Sequence, residues 1–144
     1  GITASMQFPF VRTFKTAFPD IPATFVHNNF SSPSFFVNVD GVRTRFQEPT
    51  QHLAFVHQEY LEIFTPEWLG GNPATALTQV NSVVLTRKIA EKFFGNVNVI
   101  GKTVGFNDAP DLLITGVIED YPQTTDLPID ILISMSYLFV KNYN

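Results

Sequence analysis

The sequence predicts an α+β fold with two lobes, in which mixed and antiparallel sheets pack against helices and one lobe has a βαββ order. Three observations lead to this prediction. The chain has 144 residues, of which 44% are hydrophobic and 14% aromatic, so it can build its own core. Asp40-Gly41 separates two alternating runs, as in a β-hairpin. Thr86 and Gly95 bound an amphipathic segment after an apolar run, which indicates a strand followed by a capped helix.

The first part of the chain predicts one helix followed by strands. The helix covers residues 5–18, where Pro9 suits the first turn and Pro19 ends it. Strands are predicted over residues 21–30, 34–39, 42–46 and 53–57. The strand over residues 42–46 places Arg43 and Arg45 on one face, and Val42, Thr44 and Phe46 on the other. The polar face favours a half-exposed antiparallel sheet.

The remainder of the chain predicts the βαββ order. Helical turns are expected over 58–64 and 72–77, strands over 82–85, 102–106, 112–118 and 129–134, and a helix over 87–94. Asn72 and Thr86 are expected to cap their helical segments, and Gly95 to end the second one. Gly116 inside a strand predicts a bulge or close packing. We therefore expect a strand-rich lobe near 22–57 and a βαββ-type lobe near 82–134.

Composition excludes several classes of function. The net charge is −4, so the basic surface that nucleic-acid binding requires is absent. The chain has no cysteine, which excludes disulfides, thiolate metal sites and cysteine nucleophiles. The most apolar run, residues 129–140, is shorter than the roughly 20 residues of a membrane-spanning helix. Both ends of the sequence are abrupt, and we expect the chain to be one domain of a longer protein.

Histidines and carboxylates are the candidates for chemistry. The histidines are His27, His52 and His57, and Glu59 and Glu62 follow closely, but these spacings match no standard zinc site. Carboxylates also cluster along the second half of the chain, at Asp108, Asp111, Glu119, Asp120, Asp126 and Asp130. Such a set could provide an acid–base pair or bind calcium, but no EF-hand spacing occurs, and turns favour aspartate for their own reasons. We assign no catalytic, cofactor-binding or metal-binding residue.

Phenylalanines leave a further question open. The chain has 15, and four of them recur through the first predicted helix, at Phe8, Phe10, Phe14 and Phe18. Such a row belongs either to the core or to an apolar groove that binds a ligand.

A series of segments in one order carries a family resemblance. The segments are 18–21 (FPDI), 58–64 (QEYLEIF), 69–77 (LGGNPATAL), 81–86 (NSVVLT), 90–95 (AEKFFG), 100–103 (IGKT), 113–122 (LITGVIEDYP) and 129–134 (IDILIS). Together they resemble the MacB-like periplasmic core domain of FtsX-like ABC transporter permeases, especially the type abundant in Bacteroidetes. The motifs themselves are packing and turn signals.

The resemblance implies a single, non-catalytic extracytoplasmic domain over residues 1–144, without a cofactor. It implies a place on the periplasmic side of the bacterial cytoplasmic membrane, as a domain of an integral membrane protein. The implied partners are a second permease subunit in a dimer, a cytoplasmic ATPase reached through the membrane part, and a periplasmic partner or a peptide- or lipid-like substrate. The implied role is to couple ATP hydrolysis to export or to mechanotransmission.

The sequence also leaves two other classes of function open. A small hydrolase would need Asp126, Asp130 and His57 to converge in one pocket. A free-standing periplasmic ligand-binding module would need a sizeable apolar cleft lined by phenylalanine. The resemblance also implies that strands are missing near both ends of the sequence, so we expect sheet edges there that pair with other copies.

Overall fold

Nine strands form one mixed sheet in the computed structural model, which describes residues 23–24, 33–49, 52–122 and 129–140. The strands are β1 (Ala23–Thr24), β2 (Ser34–Val39), β3 (Val42–Gln47), β4 (Leu53–Val56), β5 (Trp68–Gly71), β6 (Ser82–Thr86), β7 (Thr103–Phe106), β8 (Ala109–Ile118) and β9 (Ile131–Ser134). The helices of this part of the chain are α1 (Gln58–Phe64), α2 (Arg87–Phe94) and α3 (Tyr137–Val140).

The strand order of the sheet is β1-β4-β9-β6-β8-β7-β2-β3. The long strand β8 pairs with β7 along its first half and with β5 along its second half. The β4–β9 and β6–β8 pairs are parallel, and the other pairs are antiparallel. The α+β prediction is confirmed, including the β6-α2-β7-β8 order.

The core lies on both faces of this sheet. Every residue of β4, β6 and β9 is buried, because apolar elements cover both faces of these central strands. On one face, α2 contributes Ile89, Ala90, Phe93 and Phe94 to a cluster with side chains from all the central strands. On the other face, Leu61 of α1 packs with Ala76 and Leu77 of the segment that precedes β6.

The β2–β3 hairpin has the predicted turn. Asp40 and Gly41 both have positive φ, 52° and 81°, as a type I′ turn requires. The two faces of β3 also differ as predicted. Phe46 stacks on Phe93 of α2 with 4.7 Å between ring centroids, whereas Arg43 lies over the Phe36 ring on the opposite face.

Helix α2 begins and ends where the sequence predicts. Thr86 is its N-cap residue, and Gly95 ends it in the left-handed conformation with its N–H donating to the Glu91 carbonyl. The Thr86 hydroxyl makes no capping hydrogen bond, however. The Lys88 N–H instead donates to the side chain of Asp120, which follows β8 (2.8 Å).

Gly116 combines the two features expected of a glycine inside a strand. The β6–β8 register shifts between Val83 and Val84, opposite this part of β8. A β-carbon on Gly116 would lie 2.6 Å from the Trp68 ring and 3.2 Å from Val84. The glycine therefore lets the indole lie directly on the β8 backbone.

The predicted helical turn over 72–77 is present as successive turns over residues 73–78, and the Asn72 side chain caps it by accepting from the Ala74 N–H. Other predicted elements differ from the structure. The β7–β8 turn is confined to residues 107–108, so β8 begins earlier than predicted, at Ala109. Strand β5 and helix α3 were not predicted. The helix over 5–18 and most of the strand over 21–30 lie outside the described residues, and the division into two lobes stays a prediction.

Candidate functional site

A group of polar side chains lies where β4, β6, β9 and α2 meet, and we call it the Asp130 cluster: Asp130, His52, Thr86, Lys88 and Asp120. Because β4 and β9 are parallel, with Leu53 opposite Ile131, the residues just before these strands come side by side. The Asp130 N–H donates to the His52 carbonyl (2.9 Å), and the Asp130 carbonyl accepts from the Thr86 N–H (3.1 Å). The backbone therefore fixes Asp130 at the junction of three strands.

The Asp130 carboxylate is buried and only half satisfied. Its side chain is 3% exposed, and Oδ1 accepts a hydrogen bond from the Thr86 hydroxyl (3.2 Å). Oδ2 lies 3.4 Å from His52 Nδ1 and 3.6 Å from Lys88 Nζ, and no described residue donates a hydrogen bond to it. Burial raises the pKa of this carboxyl group, while the nearby Lys88 and His52 act in the opposite direction.

The segment that follows β8 fastens the first turn of α2. Asp120 accepts from the Lys88 N–H, and Arg87 donates two hydrogen bonds to Glu119, each 3.0 Å long. The bidentate contact with Arg87 lowers the pKa of the Glu119 carboxyl group. Both acidic residues lie at the amino end of the helix, where the helix dipole favours negative charge.

Tyrosines border the cluster on its apolar side. The Tyr121 hydroxyl donates to the Ile129 carbonyl (2.6 Å), directly before Asp130. Its ring packs on Phe64 of α1, which in turn packs on Tyr60. Burial raises the pKa of both Tyr60 and Tyr121, so their hydroxyls stay protonated.

Of the predicted hydrolase site, the structure describes His57 and Asp130, and it places them at different ends of β4. Asp130 lies beside His52 at the start of β4, whereas His57 lies at the other end of that strand and is the N-cap residue of α1. Asp126 lies outside the described residues. Asp108 and Asp111 belong to the β7–β8 hairpin, at the opposite end of the sheet from Asp130.

The other sequence candidates are separate as well. Glu59 and Glu62 are exposed on α1. His27 and the row of phenylalanines over residues 5–18 lie outside the described residues. In the part of the chain that the structure describes, no three His, Cys, Asp or Glu side chains are grouped as a metal site would require. The described helices include none that is long and apolar enough to cross a bilayer.

The Asp130 cluster brings together a carboxylate, an imidazole and an ammonium, which can bind a proton and form ion pairs. The Thr86 hydroxyl is fully buried and hydrogen-bonded to Asp130, so it is not placed to attack a substrate. Sequence reasoning noted Asp130 and Asp120 among the carboxylates but did not link them to His52, Thr86 or Lys88. Those links depend on sheet register and on contacts between residues distant in sequence, for which the sequence carries no local signal.

Comparison with known proteins yields a family match and a set of similar folds. The family model described as "MacB-like periplasmic core domain" matches residues 5–143. No curated protein matches the chain.

Three solved structures share the fold at low sequence identity. The periplasmic region of MacB from Actinobacillus actinomycetemcomitans has a TM-score of 0.55 and 17% identity, over 99% of this chain and 61% of that one. A domain of a permease protein from Porphyromonas gingivalis has a TM-score of 0.54 and 18% identity, over 76% of this chain and 51% of that one. The extracellular domain of the noncanonic ABC-type transporter YknZ from Gram-positive bacteria has a TM-score of 0.53 and 15% identity, over 94% of this chain and 66% of that one. The chain thus spans about half to two thirds of these structures.

Proposed function

Because this chain belongs to the family of MacB-like periplasmic core domains, we propose that it is the non-catalytic extracytoplasmic domain of an ABC transporter permease. In this proposal the domain couples ATP hydrolysis in the cytoplasm to export or to mechanotransmission on the periplasmic side. The observation that carries the proposal is the family match, which covers residues 5–143 of the chain. The shared fold of the three solved structures supports it.

The way α2 is attached to the sheet supports a mechanical role. At its amino end the helix is held by Asp120 and Glu119, and farther along by a contact of 2.6 Å between Lys92 and the buried Glu48. Its apolar face packs on the sheet between these contacts. A helix fastened at several points moves with the sheet as one body, and such a body can transmit a displacement.

The proposal assigns partners and a location. The domain projects from the periplasmic side of the bacterial cytoplasmic membrane, as part of an integral membrane protein. A second permease subunit forms the dimer, and a separate ATPase acts from the cytoplasm. A periplasmic protein or a peptide- or lipid-like substrate is contacted outside the membrane.

Cysteine labelling in whole cells tests the location. The chain contains no cysteine, so a single one can be introduced into a parent protein that otherwise lacks them. Thr44→Cys is at an exposed position in β3, and Ala54→Cys is at a fully buried position in β4. We expect a membrane-impermeant maleimide to label Thr44→Cys in intact cells, and Ala54→Cys only after denaturation. Labelling of Thr44→Cys that requires opening of the cytoplasmic membrane would overturn the proposed location.

Distance measurements on the assembled transporter test the coupling. Spin labels at Thr44→Cys in both subunits, and in a second sample at the exposed Asn98→Cys, report how the two domains are placed. In nanodiscs with the ATPase present, we expect the distance distributions to differ between the nucleotide-free and ATP-bound states. Unchanged distributions at both positions would contradict coupling, and the absence of any inter-subunit distance would contradict the dimer.

A further inference from the structure

The start of β9 is attached to β6 through the Asp130 carboxylate, whose Oδ1 accepts a hydrogen bond from Thr86. No described residue donates a hydrogen bond to its Oδ2. We propose that Asp130 and His52 together bind one exchangeable proton, and that this proton tightens the junction between β4, β9 and the first turn of α2. The inference stands on the geometry of the Asp130 cluster and is independent of the transporter assignment.

The imidazole lies one small movement away from a hydrogen bond with the Asp130 carboxylate. His52 Nδ1 and Asp130 Oδ2 are 3.4 Å apart, and Oδ2 accepts no hydrogen bond from the described residues. A proton between them would create a charge-assisted hydrogen bond, for which N···O distances of about 2.7–2.9 Å are typical. A small approach of the half-buried imidazole, which is 32% exposed, would close the contact. Imidazole is the side-chain group that ordinarily changes charge near neutral pH.

The other groups that face Asp130 do not supply the missing donor. The Thr86 hydroxyl of β6 donates its hydrogen bond to Oδ1 instead. The Lys88 ammonium of α2 lies 3.6 Å from Oδ2. Lys88 is 57% exposed, so solvent screens its charge.

The segment that follows β8 also faces the cluster. Asp120 contributes negative charge there while it caps α2, and Tyr121 donates to the Ile129 carbonyl. Glu119 is paired with Arg87. These are the titratable groups that the described residues bring to the cluster; Asp126 lies outside them.

The direction of the pH effect follows from burial. The pKa of Asp130 is raised above its value in the unfolded chain, mainly by desolvation, so the folded chain holds this proton more tightly. The stability contributed by the proton is fully present below the unfolded pKa and is lost as pH rises through the folded pKa. The junction is therefore tighter at a pH below the folded pKa of Asp130 than at a pH above it.

Amide hydrogen exchange of this chain measures the junction directly. The Thr86 N–H donates to the Asp130 carbonyl and the Asp130 N–H to the His52 carbonyl, so these two amides report its opening. As pH rises from 3 to 8, after correction for intrinsic exchange, we expect their protection factors to fall by about threefold or more. Amides of the β2–β3 hairpin serve as an internal reference and should show no such trend.

Three variants give the test its controls. Asp130→Asn keeps an acceptor for the Thr86 hydroxyl and removes the titrating carboxyl group, and His52→Gln removes the imidazole at a partly exposed position. Both should abolish the pH trend, whereas His57→Gln, at the other end of β4, should leave it intact. A flat profile in the unmodified chain, or the same trend in Asp130→Asn and His52→Gln, would overturn the proposal.

A second measurement separates proton sharing from a purely structural role. In the unmodified chain, the carboxyl carbon of Asp130 should follow the same pH transition as the two amides. His52→Gln should displace the transition of this carboxyl carbon, because the imidazole lies 3.4 Å from Oδ2. If the transition does not move in His52→Gln, the two groups do not share a proton.

Discussion

Lys92 on α2 contacts Glu48, which follows β3, with 2.6 Å between Nζ and Oε2. The two partners differ in environment, since the Glu48 side chain is 5% exposed and the Lys92 side chain 47% exposed. The contact ties the edge hairpin to the helix that covers one face of the sheet. Glu48 is thus a buried carboxylate with a partner that still reaches solvent.

Lys92→Met should destabilise the chain. The substitution keeps an apolar stem and removes the ammonium, so Glu48 stays buried without its partner. We expect a loss of about 1–3 kcal/mol in the free energy of unfolding, the cost of an unsatisfied buried polar group. Urea unfolding measures it, with Lys102→Met, at an exposed lysine, as the matched control. If Lys92→Met and Lys102→Met lower the free energy of unfolding by the same amount, the Glu48 contact does not contribute to stability.

Gly116→Ala should also lower stability, for a steric reason. The added methyl group would lie 2.6 Å from the Trp68 ring, closer than side chains approach one another. Overpacking of this kind typically costs about 1–3 kcal/mol. In a double-mutant cycle, the cost should shrink when Trp68→Leu is already present, because the smaller side chain makes room. An equal cost in both backgrounds would mean that the indole is not the obstacle.

Asp120 should act as a capping residue for α2 although it lies 32 positions after the amide it caps. Asp120→Ala removes the acceptor of the Lys88 N–H, and we expect a loss of about 0.5–2 kcal/mol. Asp120→Asn keeps an acceptor and should cost about half of that or less, since only the interaction with the helix dipole is reduced. Thermal unfolding of both variants separates the two contributions. Equal losses would assign the effect to charge rather than to the hydrogen bond.

The ion pair between Glu119 and Arg87 should make the fold sensitive to acid. The pKa of Glu119 is lowered in the folded state by its hydrogen bonds from Arg87, so its contribution is present above the unfolded pKa and is lost as pH falls through the folded pKa. Glu119→Gln should therefore be less stable than the unmodified chain at neutral pH, and the difference should shrink in acid. Urea unfolding from pH 3 to pH 7 measures this. A difference that does not change with pH would contradict the assignment.

Local signals explain which parts of the fold could be predicted. Asp40-Gly41 and Gly95 occupy positions that require positive φ, so each marks a turn or helix end by its own chemistry. Strand β5 was missed because Gly70 and Gly71 have low strand propensity. In the structure Gly71 is required there, since a β-carbon would lie 2.3 Å from the Thr115 carbonyl oxygen. A close backbone contact of this kind depends on a strand distant in sequence.

The contacts of the Asp130 cluster also depend on residues that are distant in sequence. The identity of Thr86 predicted the start of α2 correctly, but its hydroxyl bonds Asp130 instead of capping the helix. His57 and Asp130 were grouped as candidates for a hydrolase, whereas the register of β4 and β9 places His52 beside Asp130. Register is set by how the whole sheet packs, so spacing along the chain could not distinguish the two histidines.

The position of β9 has a consequence for how the chain matures during synthesis. This strand lies between β4 and β6 and is hydrogen-bonded to both, although it is the last strand of the described sequence. Until residues 131–134 have been synthesised, the nascent chain carries two apolar strands that lack their common neighbour. Unpaired edges of this kind are where other chains add during aggregation. The edges of β4 and β6 therefore stay open to such pairing until β9 is inserted between them.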